Sequence, residues 1–447
     1  MNIYEILRKK RMGRNLEAKE IDFLVKGYYY GQIPDYQMAA FLTSTVINGM
    51  NEDETFAFTK AMVETGEIMD FSEIEGIKID KHSTGGVGDT VSLIAIPILA
   101  CMGYKVPKLS GRALGHTGGT IDKLESIPNL ATNLNLDGMK EALRKVGAFI
   151  CQPFSLAPAD KKIYALRDVT ANVESIPLIA SSIMSKKIAA NSDVIILDVK
   201  VGNGAFMSDY QDAFLLAETM IKIGKKFGKI CAAAITDMNQ PLNSYIGNTL
   251  EVISAIDFLK GNYNQYPRLK KVCFTLVNLA KYILDNLEEI RRNSSIKEII
   301  LDQNEYGYIE NIINQGQAIN KLKEIIQFQK GDPSFVDDPY KYFEPKIQYS
   351  LRSSYEGYID FDTYLLGLAA GQLGLSRKTI DDKIDNNAGI ILKVTKGDFV
   401  KNGQLIADLY AKDKESLENS LNILERAIKF SNEPCQLQGE VYKVMIY

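Results

Sequence analysis

Apolar residues recur at helical spacing through the first seventy residues or so of the chain. IYEILRKKR and LEAKEIDFLVKGYYYG each read as an amphipathic helix. Pro34 suits the first turn of a third, PDYQMAAFLTSTVINGM. Asn51 followed by Glu54 predicts a capping box at the start of a fourth. The pattern then changes to short buried runs. IKID, YKVPKL, GAFICQ, SDVIILDVKV and KICAAAITD read as strands, and DTVSLIAIPILACMG between the first two reads as a buried helix. Strands alternating with helices predict an α/β architecture with a mainly parallel sheet.

Helical spacing returns over residues 153–191, in KKIYALRDVT and SIPLIASSIMSKKIAA. Residues 290–333 are polar and charged, and predict helices with little core that form a surface layer. From about 345 onward SYEGYIDFD, AGIILKVTKGDFV and QLIADLYA read as short alternating strands, with a helix at 414–430. The expected fold class is therefore α/β with three parts. A small discontinuous helical domain takes residues 1–70 and 153–191. A larger α/β domain takes 71–152 and 192–340, and a C-terminal α+β domain takes 341–447.

A chain of 447 residues calls for more than one core. Its net charge of -4, with no basic stripe, argues against a nucleic-acid partner. An anionic substrate would need a local cluster of cations, which Lys81, Lys108, Arg112 and Lys123 supply. The five cysteines are scattered and include no CxxC pair, which reads as free thiols in a reducing compartment. The N-terminus lacks an apolar signal core, and the longest apolar run is too short to span a bilayer. These features lead to the expectation of a cytoplasmic protein with no membrane association.

The candidate chemistry lies in two Gly/Ser/Thr-rich blocks, KHSTGGVGDTVS (Lys81 to Ser92) and KLSGRALGHTGGTIDKLE (Lys108 to Glu125). The only two histidines, His82 and His116, sit one in each. Glycines let backbone N–H groups approach an anion; Ser and Thr add hydroxyl donors, and Lys and Arg add charge. Both blocks follow expected strands, where ligands bind in open α/β sheets. Neither is a nucleotide fingerprint, because GGVGDT lacks the GxGxxG spacing and no GxxxxGK[ST] occurs. His82 beside Lys81 points to chemistry, while His116 reads as holding its loop in shape. Asp122, Lys123 and Glu125 read either as a helix start or as ligands.

SGRALGHTGGTIDKLES resembles the hallmark segment of the thymidine and pyrimidine-nucleoside phosphorylases. KHSTGGVGDT, YALRDVTANVESIPLIASSIMSKK and LDVKVGNGAFM resemble further segments of that family, in the same order. The resemblance runs to the C-terminal AGIILKVTKGDFVKNG, so it spans nearly the whole chain. YALRDVT and IASSIMSKK are closer to the broad-specificity pyrimidine-nucleoside form than to the strict thymidine form. VTKGDFVKNGQ also resembles turns of biotinyl and lipoyl carriers, but no carrier lysine stands at its tip, and it reads as structural.

The resemblance implies a cleft between a helical and an α/β domain, a homodimer, and phosphorolysis of uridine, thymidine and deoxyuridine. It implies inorganic phosphate as co-substrate and no organic cofactor. Phosphate would be held by Lys81, Ser83, Ser92, Lys108, Ser110 and Thr120. The pyrimidine would be held by Arg167, Ser182 and Lys186, with His82, Arg167 and Lys186 as the catalytic set. Arg suits bidentate contact to a planar base edge. Without the resemblance, Arg167 reads as a surface ion pair and Lys186 as a solvated helix end; Lys187 is expected to be solvated. The resemblance also implies a potassium ion near Gly88 and Thr90, with backbone oxygens around Leu242 and Tyr245. Family members carry an acidic residue shortly after the LEV segment, and here Ser254 stands at that position. The alternatives are a strict thymidine phosphorylase and an anthranilate-type phosphoribosyltransferase. The latter needs acidic clusters for magnesium and pyrophosphate, and none is evident beside the two blocks.

Overall fold

Residues 1–112, 115, 118–152, 156–293, 295–376 and 383–447 are described in a computed structural model. His116 lies outside the described residues.

The chain opens with helices α1 (Ile3–Arg11), α2 (Ala18–Tyr29), α3 (Asp35–Asn48) and α4 (Glu52–Val63). The expected capping box starts α4. Glu54 N–H donates to Asn51 Oδ1 at 2.8 Å, and Asn51 N–H donates back to Glu54 Oε2 at 2.9 Å. The other oxygen of Glu54 takes the buried Lys10 ammonium at 2.7 Å and the Leu16 N–H at 3.0 Å, which ties three elements together.

There follow β1 (Ile79–Ser83), α5 (Val91–Cys101), β2 (Val106–Leu109), α6 (Thr120–Leu124), α7 (Leu136–Lys145) and β3 (Ala148–Cys151). Next come α8 (Pro158–Val169), α9 (Ile176–Ala189), β4 (Val194–Val201), α10 (Tyr210–Lys226), β5 (Ile230–Asp237), β6 (Tyr245–Ile246) and α11 (Asn248–Asp257). β1, β4 and β5 are parallel neighbours, and β2 pairs in parallel with β3. β2 meets β1 only at its start, where Ile79 N–H donates to Lys105 O at 2.8 Å and Lys105 N–H to Ile77 O at 3.0 Å. The order across the sheet is therefore β3-β2-β1-β4-β5. It reverses direction between β1 and β4, and such a switch point opens a crevice at the carboxyl ends of the strands. The first Gly-rich block runs out of β1 into that crevice.

Helices cover both faces, so β4 is buried along its whole length. The helix α9 belongs to both lobes. Leu178 joins the core of α1–α4 and α8, while Ala180, Met184 and Ile188 pack with β4, β5 and α10. A single helix thus fixes the helical lobe against the sheet.

Residues 307–328 are not a surface layer. Ile309, Ile313, Leu322, Ile325 and Ile326 are buried in the main core with the largely apolar α5. Their i, i+4 and i, i+3 spacing makes one apolar stripe, which the polar remainder of each helix masks in a composition reading. Two segments also cross the boundary expected at 341. The strand Val441–Ile446 returns to pair antiparallel with β5, and β6 pairs with the strand Gly389–Leu392 of the C-terminal sheet.

Candidate functional site

The sheet side of the site is a network of buried lysines and carboxylates. Successive residues of β1 point to opposite faces. Asp80 Oδ2 takes the Lys187 ammonium from α9 at 2.7 Å, and Asp80 Oδ1 lies 3.4 Å from Lys108 Nζ of β2. Lys108 also donates to the Lys81 carbonyl, and Lys187 to the Leu109 carbonyl at 3.1 Å. These bonds fill the gap where β1 and β2 part. Lys81 Nζ lies 3.1 Å from Asp198 Oδ2 of β4, and Lys200 Nζ lies 2.8 Å from the same oxygen. Neither ammonium makes a well-directed hydrogen bond, so both retain unspent donors in a dry setting. Thr236 donates to the other oxygen of Asp198 at 2.7 Å, which holds that carboxylate in place.

The loop after β1 is ordered by its own side chains. Ser83 Oγ donates to Asp89 Oδ2 at 2.6 Å, and Val91 N–H at the start of α5 donates to Asp89 Oδ1 at 3.1 Å. Thr84 Oγ1 accepts the Lys200 N–H at 2.9 Å. Burial disfavours the Asp89 charge, but Lys81, Lys200 and Lys123 outweigh it and hold that carboxyl below its usual range. Burial likewise opposes the Lys81 charge, and Asp89 and Asp198 override it to raise the ammonium pKa. Lys108 behaves differently. Burial pushes its pKa down to about 7, with Asp80 opposing and Lys187 and Lys81 adding to the fall. His82 is driven well below the usual imidazole range, first by burial and then by Lys187, Lys108, Lys81 and Lys186. It is a neutral imidazole facing lysines of both lobes.

Arg167 on α8 and Ser182 and Lys186 on α9 form the helical side. Arg167 is buried and donates to the carbonyls of Asn172, Val173 and Leu178 at 3.0, 2.7 and 3.2 Å. It has five N–H groups, so one remains on each terminal nitrogen. Desolvation lowers its pKa, with Asp160 and Tyr164 opposing. Lys186 is part-exposed, pairs with the buried Asp160 of α8, and lies 3.5 Å from Ser182 Oγ.

Lys108 is bonded to the Lys81 carbonyl, Ser83 holds Asp89 in the loop beside them, and His82 lies within reach of the lysine charges. Ser92 is buried in the first turn of α5, Thr120 is the first residue of α6, and Ser110 is fixed by its N–H to Cys151 O at 2.9 Å. No side-chain bond joins these three to the lysines among the described residues. Gly88 and Thr90 lie in the loop after β1. Leu242 N–H donates to Val87 O at 3.1 Å, and Tyr245 N–H donates to Asn243 Oδ1 at 3.2 Å, so the 242–245 segment runs against that loop.

Two expectations are corrected. Lys187 is not solvated; it is buried on Asp80, because α9 lies on the sheet at that point. Arg112 is not a free cation: three of its five N–H groups go to Asp122 at 2.9 Å and to both oxygens of Glu125 at 2.6 Å, and these carboxylates offset its charge. Lys123 is likewise committed, to Glu251 Oε2 at 2.6 Å and the Asp89 carbonyl at 2.7 Å. Sequence reading missed Asp80, Asp160, Asp198 and Lys200. The signal for Asp198 and Lys200 was present: DVK interrupts an otherwise apolar central strand, and buried charge there must be paired.

A helical bundle is thus set against a switch-point crevice lined with buried lysines. The chain matches the glycosyl transferase family, a/b domain, over residues 75–302, and its helical bundle domain over 4–66. The pyrimidine nucleoside phosphorylase C-terminal domain matches over 358–431. Among curated relatives, the pyrimidine-nucleoside phosphorylase of Geobacillus stearothermophilus is 43% identical over 447 residues, 99% of each chain. That of Bacillus subtilis (strain 168) is 45% identical over 417 residues, 92% of each chain. The chain belongs to the pyrimidine-nucleoside phosphorylase family. Among solved structures, an anthranilate phosphoribosyltransferase from Thermus thermophilus superposes with a TM-score of 0.56 at 15% identity, over 73% of this chain and 99% of that one. This last likeness is one of fold. Among the described residues, no helix is long and apolar enough to cross a membrane.

Proposed function

We propose that this chain catalyses the reversible phosphorolysis of pyrimidine nucleosides, giving free base and a pentose 1-phosphate. The reading rests on relatives of that name at 43–45% identity along nearly the whole chain. The structural observation that supports it most is α9. This one helix carries Ser182 and Lys186 on the helical side and sends Lys187 into the lysine network of the sheet.

In this reading Lys81 and Lys108 are the charged phosphate contacts, with Ser83, Ser92, Ser110 and Thr120 as hydroxyl donors. Arg167, Ser182 and Lys186 hold the pyrimidine. A phosphate oxygen attacks the anomeric carbon from the face opposite the base as the bond from that carbon to the ring nitrogen breaks. The bonding electron pair moves into the pyrimidine, where negative charge builds. The two unspent N–H groups of Arg167 and the Lys186 ammonium meet that charge, and such preorganised donors act only as charge develops. Asp160 is a positioning residue that holds Lys186 on the cleft side of α9. Neutral His82 donates one N–H to a ring carbonyl. Bound phosphate offsets the lysine charges and raises the imidazole pKa, so proton delivery to the leaving base becomes available in the complex.

The proposal includes broad specificity, a cytoplasmic location, three domains divided near residues 70, 152, 191 and 341, and a homodimer. Exposed Tyr4 on α1 and Tyr36 and Ile47 on α3 support a second copy docking there. Release of free base from uridine and from thymidine, with and without inorganic phosphate, tests the reading. Phosphate-dependent release from both nucleosides is expected. Release from thymidine alone would establish the strict form, and release from neither would overturn the proposal.

A further inference from the structure

The resemblance implies potassium at Gly88, Thr90, Leu242 and Tyr245, and the surroundings of these residues can be tested against that ion. One observation favours a cation: buried Thr90 Oγ1 has no hydrogen-bond partner. Three other observations bear on it.

First, Ser254 stands in place of a carboxylate; its proton is spent on a backbone carbonyl and one of its two lone pairs takes an amide N–H. The hydroxyl donates to the Glu251 carbonyl at 2.9 Å and accepts from Asn243 Nδ2 at 2.5 Å. An amide N–H aimed at that position presents positive potential, the opposite of what a cation ligand offers. Second, the 242–245 segment packs directly on the loop. Gly88 has φ of +68°, and a Cβ there would lie 2.9 Å from Asn243 O and 3.1 Å from Asn243 N. Third, the carboxylates of the junction are already compensated. Glu251 pairs with Lys123 at 2.6 Å, and Asp89 accepts from Ser83 at 2.6 Å and from Val91 N–H at 3.1 Å. Lys123 does more than neutralise Glu251. Its ammonium also donates to the Asp89 carbonyl at 2.7 Å, so one buried cation already spans the loop after β1 and α11. Lys123 and Glu251 lie in the DKLES and LEV segments shared with the family, so it is Ser254, not this pair, that sets the chain apart from the potassium-binding pattern.

We infer that in this chain the Asn243–Ser254 hydrogen bond joins the 242–245 segment to α11 where a carboxylate would have met a cation, and that the chain requires no bound monovalent cation. The inference stands on packing and charge, and goes beyond the proposed reaction. It is tested by thermal melting of the full chain in potassium, sodium or choline chloride at equal ionic strength. The melting temperature is expected to be the same in all three salts, and the rate of base release likewise. A potassium-specific rise in melting temperature that Thr90→Val removes would overturn the inference, whatever the activity. In the double variant Ser254→Glu/Asn243→Gly the carboxylate returns and the amide donor is gone. That variant, once shown to melt cooperatively, is expected to gain a melting temperature that climbs with potassium concentration. A folded double variant that ignores potassium would show that these two residues do not replace the ion.

Discussion

Replacing Lys187 with methionine keeps most of the side-chain volume and removes one buried charge. Asp80 then loses its 2.7 Å partner and retains only Lys108, at 3.4 Å. The Leu109 carbonyl also loses its 3.1 Å donor. Removing one member of a buried pair costs about 3–5 kcal/mol, and the remaining Lys108 contact favours the lower end. For a cooperative unit of about 150–250 residues, ~3 kcal/mol lowers the melting temperature by about 6–12 °C. The same change has a second consequence. Lys187 is one of the charges that hold the Lys108 pKa down at about 7. Without it the Lys108 pKa rises, so the alkaline limb of the phosphate KM profile moves to higher pH. Differential scanning fluorimetry and KM for phosphate against pH measure the two effects. Adding Asp80→Asn should recover part of the lost stability, since a neutral amide no longer needs a counter-ion. An unchanged melting temperature together with an unmoved pH limb would refute the assignment of Lys187 to the network.

Two further outcomes follow from the same geometry. Lys108 falls from an ordinary 10.5 to about 7 in the folded chain, and phosphate needs its charged form, so KM for phosphate should rise as pH is raised above about 7. The matching stability contribution has the sign of a depressed pKa: it is present in full above the ordinary lysine value and is lost as pH falls through about 7, as a urea midpoint followed against pH would report. Lys186→Ala and Arg167→Ala should each lower turnover by on the order of 10²-fold or more. Both should also melt lower: in Arg167→Ala three carbonyls lose their donor, at about 1–3 kcal/mol for each buried group left unpaired, and in Lys186→Ala the buried Asp160 carboxylate loses its partner. Full activity in both variants would overturn the site.

The strands and helices that position the site could be read from the chain because their signals are local. The period-3.6 stripe of α1, the Asn51–Glu54 box and the apolar runs of β4 and β5 each specify an element without help from the rest of the fold. The two Gly-rich blocks could be read for the same reason. What sequence could not supply is pairing across long separations. Lys187 looked solvated because SKK ends a helix, yet its partner Asp80 lies 107 residues away and only the docking of α9 brings them together. Arg112 looked like an anion contact, yet α6 sets Asp122, and Glu125 at its end, against the guanidinium. Arg167 shows both faces of the problem. It is a structural clamp on three carbonyls, and it has two N–H groups left for chemistry. The return of Val441–Ile446 to the main sheet was equally hidden, because a short apolar run carries no information about which sheet it joins.

Phosphorus-31 NMR of the purified chain with uridine and inorganic phosphate shows whether phosphate, and not water, takes the pentose. The phosphate signal is expected to fall and a pentose 1-phosphate signal to grow in step with free uracil, with the reverse reaction seen from uracil and ribose 1-phosphate. Uracil released with no phosphate ester formed would contradict the proposed reaction.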